Sequence, residues 1–108
     1  MTLNEYQKAA LETAYYPKDV AILYLALAIN GEAGEVAEKV KKLYRDRNGV
    51  GDMNFSKSVA MELGDVLWFV SVMAEELGFS LNDIAQLNID KINSRKERGV
   101  IGGNGDNR

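Results

Sequence analysis

The chain has 108 residues, 46% of them hydrophobic and 27% charged, and a net charge of −3. One globular domain fits those totals, and the acidic balance argues against bulk electrostatic binding to nucleic acid or anionic lipid. Cysteine and histidine are both absent, which excludes disulfides, thiolate nucleophiles, thiolate-bound zinc and imidazole-based triads.

Chemistry is left to carboxylate, amine, guanidinium, amide and hydroxyl groups. Metals suited to such oxygen donors are magnesium and manganese, with calcium a third choice. The opening MTLNEYQKAAL lacks the basic-then-apolar order of a leader. Because two acids interrupt the longest apolar run, no segment is expected to reach the length of a membrane span. The expectation is a soluble, cytoplasmic protein that binds neither nucleic acid nor membrane.

Thr2 to about Tyr15 reads as a first amphipathic helix. Thr2 and Glu5 have capping-box spacing, and Leu3, Tyr6, Ala10 and Ala14 form one stripe. Pro17, the only proline, ends it. Asp19 is the expected cap of a second helix, from Val20 to about Arg45. Its end is basic, with Lys39, Lys41, Lys42 and Arg45 placed to suit the helix dipole. Asn30–Gly31 inside it also reads as a turn signal, so a kink or break is an alternative there. Gly31 and Gly34 would let another helix approach closely.

Residues 46–55 form a polar, glycine-bearing loop. Ser56 is the expected cap of a third helix that runs to Leu77 and stops at Gly78. Ser80 and Asp83 open a last helix through about Arg98, and the glycine-rich residues 99–108 are a tail. With no strand-period alternation and no internal repeat, the prediction is all-α. Residues 1–98 make one antiparallel bundle of four to five helices.

The third helix carries the chemical signal. From Val59 to Ala74 it reads VAMELGDVLWFVSVMA, apolar almost all round yet holding Glu62 and Asp65. Three residues apart, the two acids lie one turn apart on one face. A carboxylate placed in apolar surroundings needs a partner or a metal. Glu32 and Glu35, in NGEAGEV, repeat the spacing on the second helix. Alone, that pair would read as a solvated face, and Glu62 and Asp65 alone as ion-paired. Together, on adjacent antiparallel helices, the pairs can converge at one depth, where four carboxylates would repel without a cation. A divalent ion there can also bind phosphate oxygens, which makes phosphoryl chemistry the natural use. With no imidazole available, the base must be a carboxylate, and Glu35 is assigned from its central place in the motif.

Glu32-x-x-Glu35 followed by Glu62-x-x-Asp65, in the contexts GEAGEVAEKVKK and MELGDVLWFV, resembles the all-α nucleoside triphosphate pyrophosphohydrolases of the MazG-like group. The resemblance covers about residues 25–98. It implies Mg2+-dependent cleavage between the α and β phosphates of nucleoside triphosphates, with Mn2+ an alternative ion. The four acids would be the metal ligands. It also implies a homo-oligomer, dimer or tetramer, with sites where subunits meet. Some members carry a further glutamate directly before the first motif; here that position is Gly31.

Asn88, Lys91 and Arg95 follow at helical spacing on the last helix and are assigned to substrate, with the cations on phosphate and the amide on sugar or base. Lys39 and Lys42 are further phosphate candidates, though a solvated face is the favoured reading for them. Trp68, one turn after Asp65, is a stacking candidate for the base, although packing is the commoner role of such a ring. The apolar circumference of the third helix also fits a homo-oligomer. Within the superfamily, a dimeric dUTPase or a phosphoribosyl-ATP hydrolase is an alternative. A non-catalytic helical oligomerisation module, its acids paired with Lys39 or Lys91, is an alternative of another class.

Overall fold

Thr2 opens the first helix, α1 (Leu3–Leu11), by accepting the Glu5 backbone N–H on its hydroxyl at 3.1 Å. The computed structural model describes all of residues 1–108. After α1 come a 3-10 turn at Lys18–Val20, then α2 (Ala21–Arg47), α3 (Met53–Glu76) and α4 (Leu81–Glu97), with no strand. The all-α prediction and the four long elements hold, and several boundaries move.

α1 stops at Leu11 rather than near Tyr15, six residues before the chain meets Pro17. Asp19 is not the cap of α2: it lies within the 3-10 turn, and Val20 precedes the helix without a side-chain cap. α2 runs unbroken through Asn30–Gly31. The local turn signal there is overridden by the helical propensity and packing on either side. Ser56 is inside α3; Asp52 caps it instead, accepting the Phe55 N–H at 2.8 Å. The loop shrinks accordingly to residues 48–52. Asn48 ends α2 in the left-handed region, and Gly49 follows at φ +77°, where a Cβ would stand 2.6 Å from the Tyr44 ring. Gly78 follows α3 at φ +83°, the backbone expected of a residue just past a helix end. Ser80 and Asp83 form the full capping box of α4.

α2 and α3 make the main contact, and their short loop sets them antiparallel. Along the pair, Ile29 lies with Val70 and Met73, Glu32 with Asp65, and Lys39 with Glu62. The core is Ala10, Tyr16, Ala21, Leu25 and Val72, flanked by Tyr6, Leu11, Trp68, Phe69 and Met73. It lies where α1 and the segment after it meet the second half of α3, with the start of α2 contributing Ala21 and Leu25. Gln7 ties this end together: its amide donates to the Ser71 and Phe79 carbonyls and its oxygen accepts the Leu81 N–H. Tyr16 donates to Glu76, which Lys18 also approaches.

Only ten residues are buried, and the Cα radius of gyration is 16.7 Å. A compact chain of this length would have about 13 Å. α2 and α3, of 27 and 24 residues, form a hairpin that is long for so small a chain, and α4 packs on α1 and α3 but not on α2. Leu87, Ile89 and Ile92 on α4 stay exposed, as do Leu23 and Leu27 on α2 and Met61, Leu63 and Leu67 on α3.

α2 with its preceding turn, Lys18–Arg47, is long and apolar enough by length and composition to cross a membrane. This corrects the expectation that no segment reaches that length. The reason is the uncharged run from Val20 to Gly31, after which Glu32 and Glu35 are the first acids. The same helix carries an acid and a lysine that face α3, which is the pattern of a protein–protein helix contact.

Candidate metal centre and nucleotide site

Glu32 projects from α2 and Glu62 and Asp65 from α3. Each offers one carboxylate oxygen within 4.8 Å of the others. Glu32 and Glu62 are half-buried; Asp65 is exposed. The i, i+3 spacing on α3 and the antiparallel register with α2 produce this convergence. Burial pushes the Glu32 carboxyl above its ordinary value, and the carboxylates of Asp65, Glu62 and Glu35 push it further in the same direction. That is the signature of negative charge gathered without enough compensation.

Glu35 is exposed one turn further along α2, close enough to act on Glu32 but outside the converging three. Two further side chains adjoin the cluster: Tyr6, which the sequence did not place here, and Lys39, which it offered as an ion-pair partner of the acids. Tyr6 of α1 has its phenol pushed up by burial and then by the Asp65 carboxylate. The apolar stripe of α1 carried Tyr6, but nothing in the sequence pointed it at Asp65. Lys39 reaches Glu62 with Nζ 3.3 Å from Oε1. Its spacing of seven from Glu32 puts it two turns along the same face, a signal the sequence did contain.

An all-oxygen set of three carboxylates fits magnesium or manganese, which take oxygen donors and fill the remaining positions with water or phosphate. The crowding felt by Glu32 is what a cation would relieve. Gly31, Gly34 and Gly64 stand beside the acids with nothing within 4 Å of where a Cβ would be. The close helix expected at Gly31 and Gly34 is therefore not supplied by this chain, and the acid face stays open.

The other assigned residues lie elsewhere in the single chain. Asn88 and Lys91 are exposed on α4, which does not pack on α2. Arg95 donates to the Asp106 carbonyl at 2.8 Å, and its Nε is buried without a partner. The tail folds back on the end of α4, where the Arg108 guanidinium donates to the carbonyls of Val100, Ile101, Gly102 and Gly105. Trp68 donates its indole N–H to Thr13 at 3.1 Å and meets Phe69 edge-on at 4.8 Å. Its ring thus belongs to the contact between α3 and the segment after α1.

Residues 21–100 match the model of the MazG nucleotide pyrophosphohydrolase domain. The match takes in α2, α3 and α4, and with them all four motif acids. The chain belongs to that family. It is also 43% identical to the Gene 37 protein of Mycobacterium phage L5, over 114 aligned positions that span both chains in full. No solved structure matches it.

Proposed function

We propose that the chain is a metal-dependent nucleoside triphosphate pyrophosphohydrolase that yields a nucleoside monophosphate and pyrophosphate from standard or damaged (deoxy)nucleotides. The observation that carries this is the convergence of Glu32, Glu62 and Asp65 inside a MazG domain. A magnesium ion held by them would neutralise phosphate charge and align the polyphosphate. Glu35, beside the cluster and exposed, takes a proton from water as the water oxygen bonds to the α phosphorus. The bond from that phosphorus to the bridging oxygen breaks, and pyrophosphate departs. Asn88 and Lys91 hold the nucleotide, joined by Arg95 once the tail releases it.

Within one chain those α4 residues do not reach the acids, so the site is completed by a second copy. The accessible surface supports this. At 7773 Å² it exceeds by roughly 1,800 Å² the area expected of a compact monomer of this mass. That excess is about one subunit's share of an obligate interface. The uncovered residues are those of such a contact: Leu23, Leu27, Met61, Leu63 and Leu67.

Incubating the chain with a panel of nucleotides and Mg2+, and identifying the products, tests the reading. Monophosphate plus pyrophosphate supports it, and the nucleotide that disappears fastest separates a general pyrophosphohydrolase from a dUTPase or a phosphoribosyl-ATP hydrolase. The Lys39–Glu62 ion pair favours a second reading, a non-catalytic helical module. Absence of turnover with every nucleotide, and of any stabilisation by Mg2+, would select that one.

A further inference from the structure

A cleft of about 340 Å³ opens at the α2–α3 loop end, lined by Lys39, Lys42, Arg47, Asn54, Phe55 and Ser58 among others. Lys39 is common to this cleft and to the carboxylate cluster, since the same ammonium contacts Glu62. The other charges are largely spent. Arg47 pairs with Asp52 at 2.9 Å, and Asp46, also in the wall, pairs with Arg45. Lys42 makes no ion pair, and the Asn54 amide makes no hydrogen bond. The Ser58 hydroxyl already donates to the Phe55 carbonyl.

A divalent ion at Glu62 would take the carboxylate from Lys39 and repel its ammonium. Lys39 is only partly buried, its side chain 35% exposed, and its flexible stem lets it swing toward the cleft it already lines. Two unpaired ammonium groups and a free amide would then face one small space in which, while Lys39 stays on Glu62, Lys42 is the one unpaired ammonium. We infer that this cleft is a metal-gated subsite for the terminal phosphates of the substrate, and hence for pyrophosphate, with Lys39 the moving part and Lys42 and Asn54 the fixed part. Lys39 then contacts the anion only when the metal holds Glu62, and so couples metal occupancy to the anion site. The inference rests on the proposed metal role of Glu62 and adds to it an order of binding: cation first, polyphosphate second.

The test is calorimetric titration of the full chain with inorganic pyrophosphate, with and without Mg2+, together with Mn2+ titration followed by electron paramagnetic resonance without pyrophosphate. Lys39→Gln and Lys42→Gln are each expected to weaken pyrophosphate binding in Mg2+ by about fivefold or more. Lys39→Gln alone is expected to tighten Mn2+, because its competitor for Glu62 is gone; Lys42→Gln should leave Mn2+ affinity near wild type. A purely structural Lys39 would weaken both ligands or neither. Unchanged pyrophosphate binding in both variants, with Mn2+ still bound by the wild type, overturns the subsite and leaves the metal centre standing. No Mn2+ binding by the wild type overturns both.

Discussion

The Gln7 side-chain oxygen accepts the Leu81 backbone N–H at 2.8 Å, across 74 residues of sequence. The same carboxamide donates to Ser71 and Phe79, so one buried side chain fixes α1 against the end of α3 and the start of α4. Removing a partner from buried backbone groups exposes their full desolvation penalty. Gln7→Leu, similar in volume, is therefore expected to lower stability by about 3 kcal/mol. Asn4→Ala, which deletes the exposed bond from the Asn82 N–H to Asn4, should lower it by less than about 1 kcal/mol. Urea denaturation of both variants measures the contrast, and equal losses would contradict it.

The start of α3 gives a second prediction. Asp52→Ala should lower the melting temperature and Ser56→Ala should not, because Asp52 is the residue that accepts from Phe55. Hydrogen bonding from Arg47 and from the Phe55 N–H holds the Asp52 carboxyl below its ordinary 3.8. With the folded value depressed, its contribution is present above 3.8 and is lost as pH falls through the lower folded value. The melting difference between wild type and Asp52→Ala should therefore shrink at strongly acid pH; equal melting of the two proteins at neutral pH would exclude the capping role.

Glu32 carries the opposite sign. Its folded value is raised, so its contribution to stability is present below 4.5 and is lost as pH rises through the raised value. Without metal, Glu32→Gln should be at least as stable as wild type at neutral pH. In saturating Mg2+ the order reverses, because the variant has lost a ligand. At a hundred times the dissociation constant a ligand stabilises by about 2.7 kcal/mol. Thermal melts of both proteins with and without Mg2+ check this crossover, and parallel responses would remove Glu32 from the ligand set.

Glu35 should separate binding from turnover. Because it stands outside the three converging oxygens, Glu35→Gln is expected to keep most of the Mg2+-induced stabilisation while losing at least about a hundredfold in kcat. Loss of the metal response as well would make Glu35 a fourth ligand of the same ion, as the motif resemblance implies.

The exposed apolar face predicts association. Leu27 and Met61, 66% and 67% exposed, should be buried between copies. Sedimentation equilibrium is expected to find no monomer at micromolar concentration. Leu27→Glu or Met61→Glu should yield monomers without activity. A wild-type chain that is monomeric and active would show that one copy builds the whole site.

Periodicity made the helices legible, and the pairing of Glu32-x-x-Glu35 with Glu62-x-x-Asp65 made the acid cluster legible. Both signals are local spacings that an antiparallel pair of helices turns directly into proximity. Caps were legible where the capping residue abuts the apolar run, as Thr2 and Ser80 do, and misleading at Ser56 and Asp19. At Ser56 helix already extends upstream to Met53; at Asp19 a 3-10 turn intervenes. The side chains of Gln7 and Tyr6 were illegible, because their partners lie more than fifty residues away and spacing along one helix carries no information about them. The direction of α4 was hidden for a related reason. Its apolar residues match any partner surface, and this chain offers too little of one.

Every role proposed for the acids requires that they grip a hard cation. Titrating the metal-free protein with Mn2+, and counting bound ions by the loss of free-ion electron paramagnetic resonance signal, measures that directly. The expected result is at least one ion per chain for the wild type, released by Mg2+ and weakened more than tenfold in Glu62→Gln and in Asp65→Asn. Binding that is absent, or that survives unchanged in both variants, would contradict it.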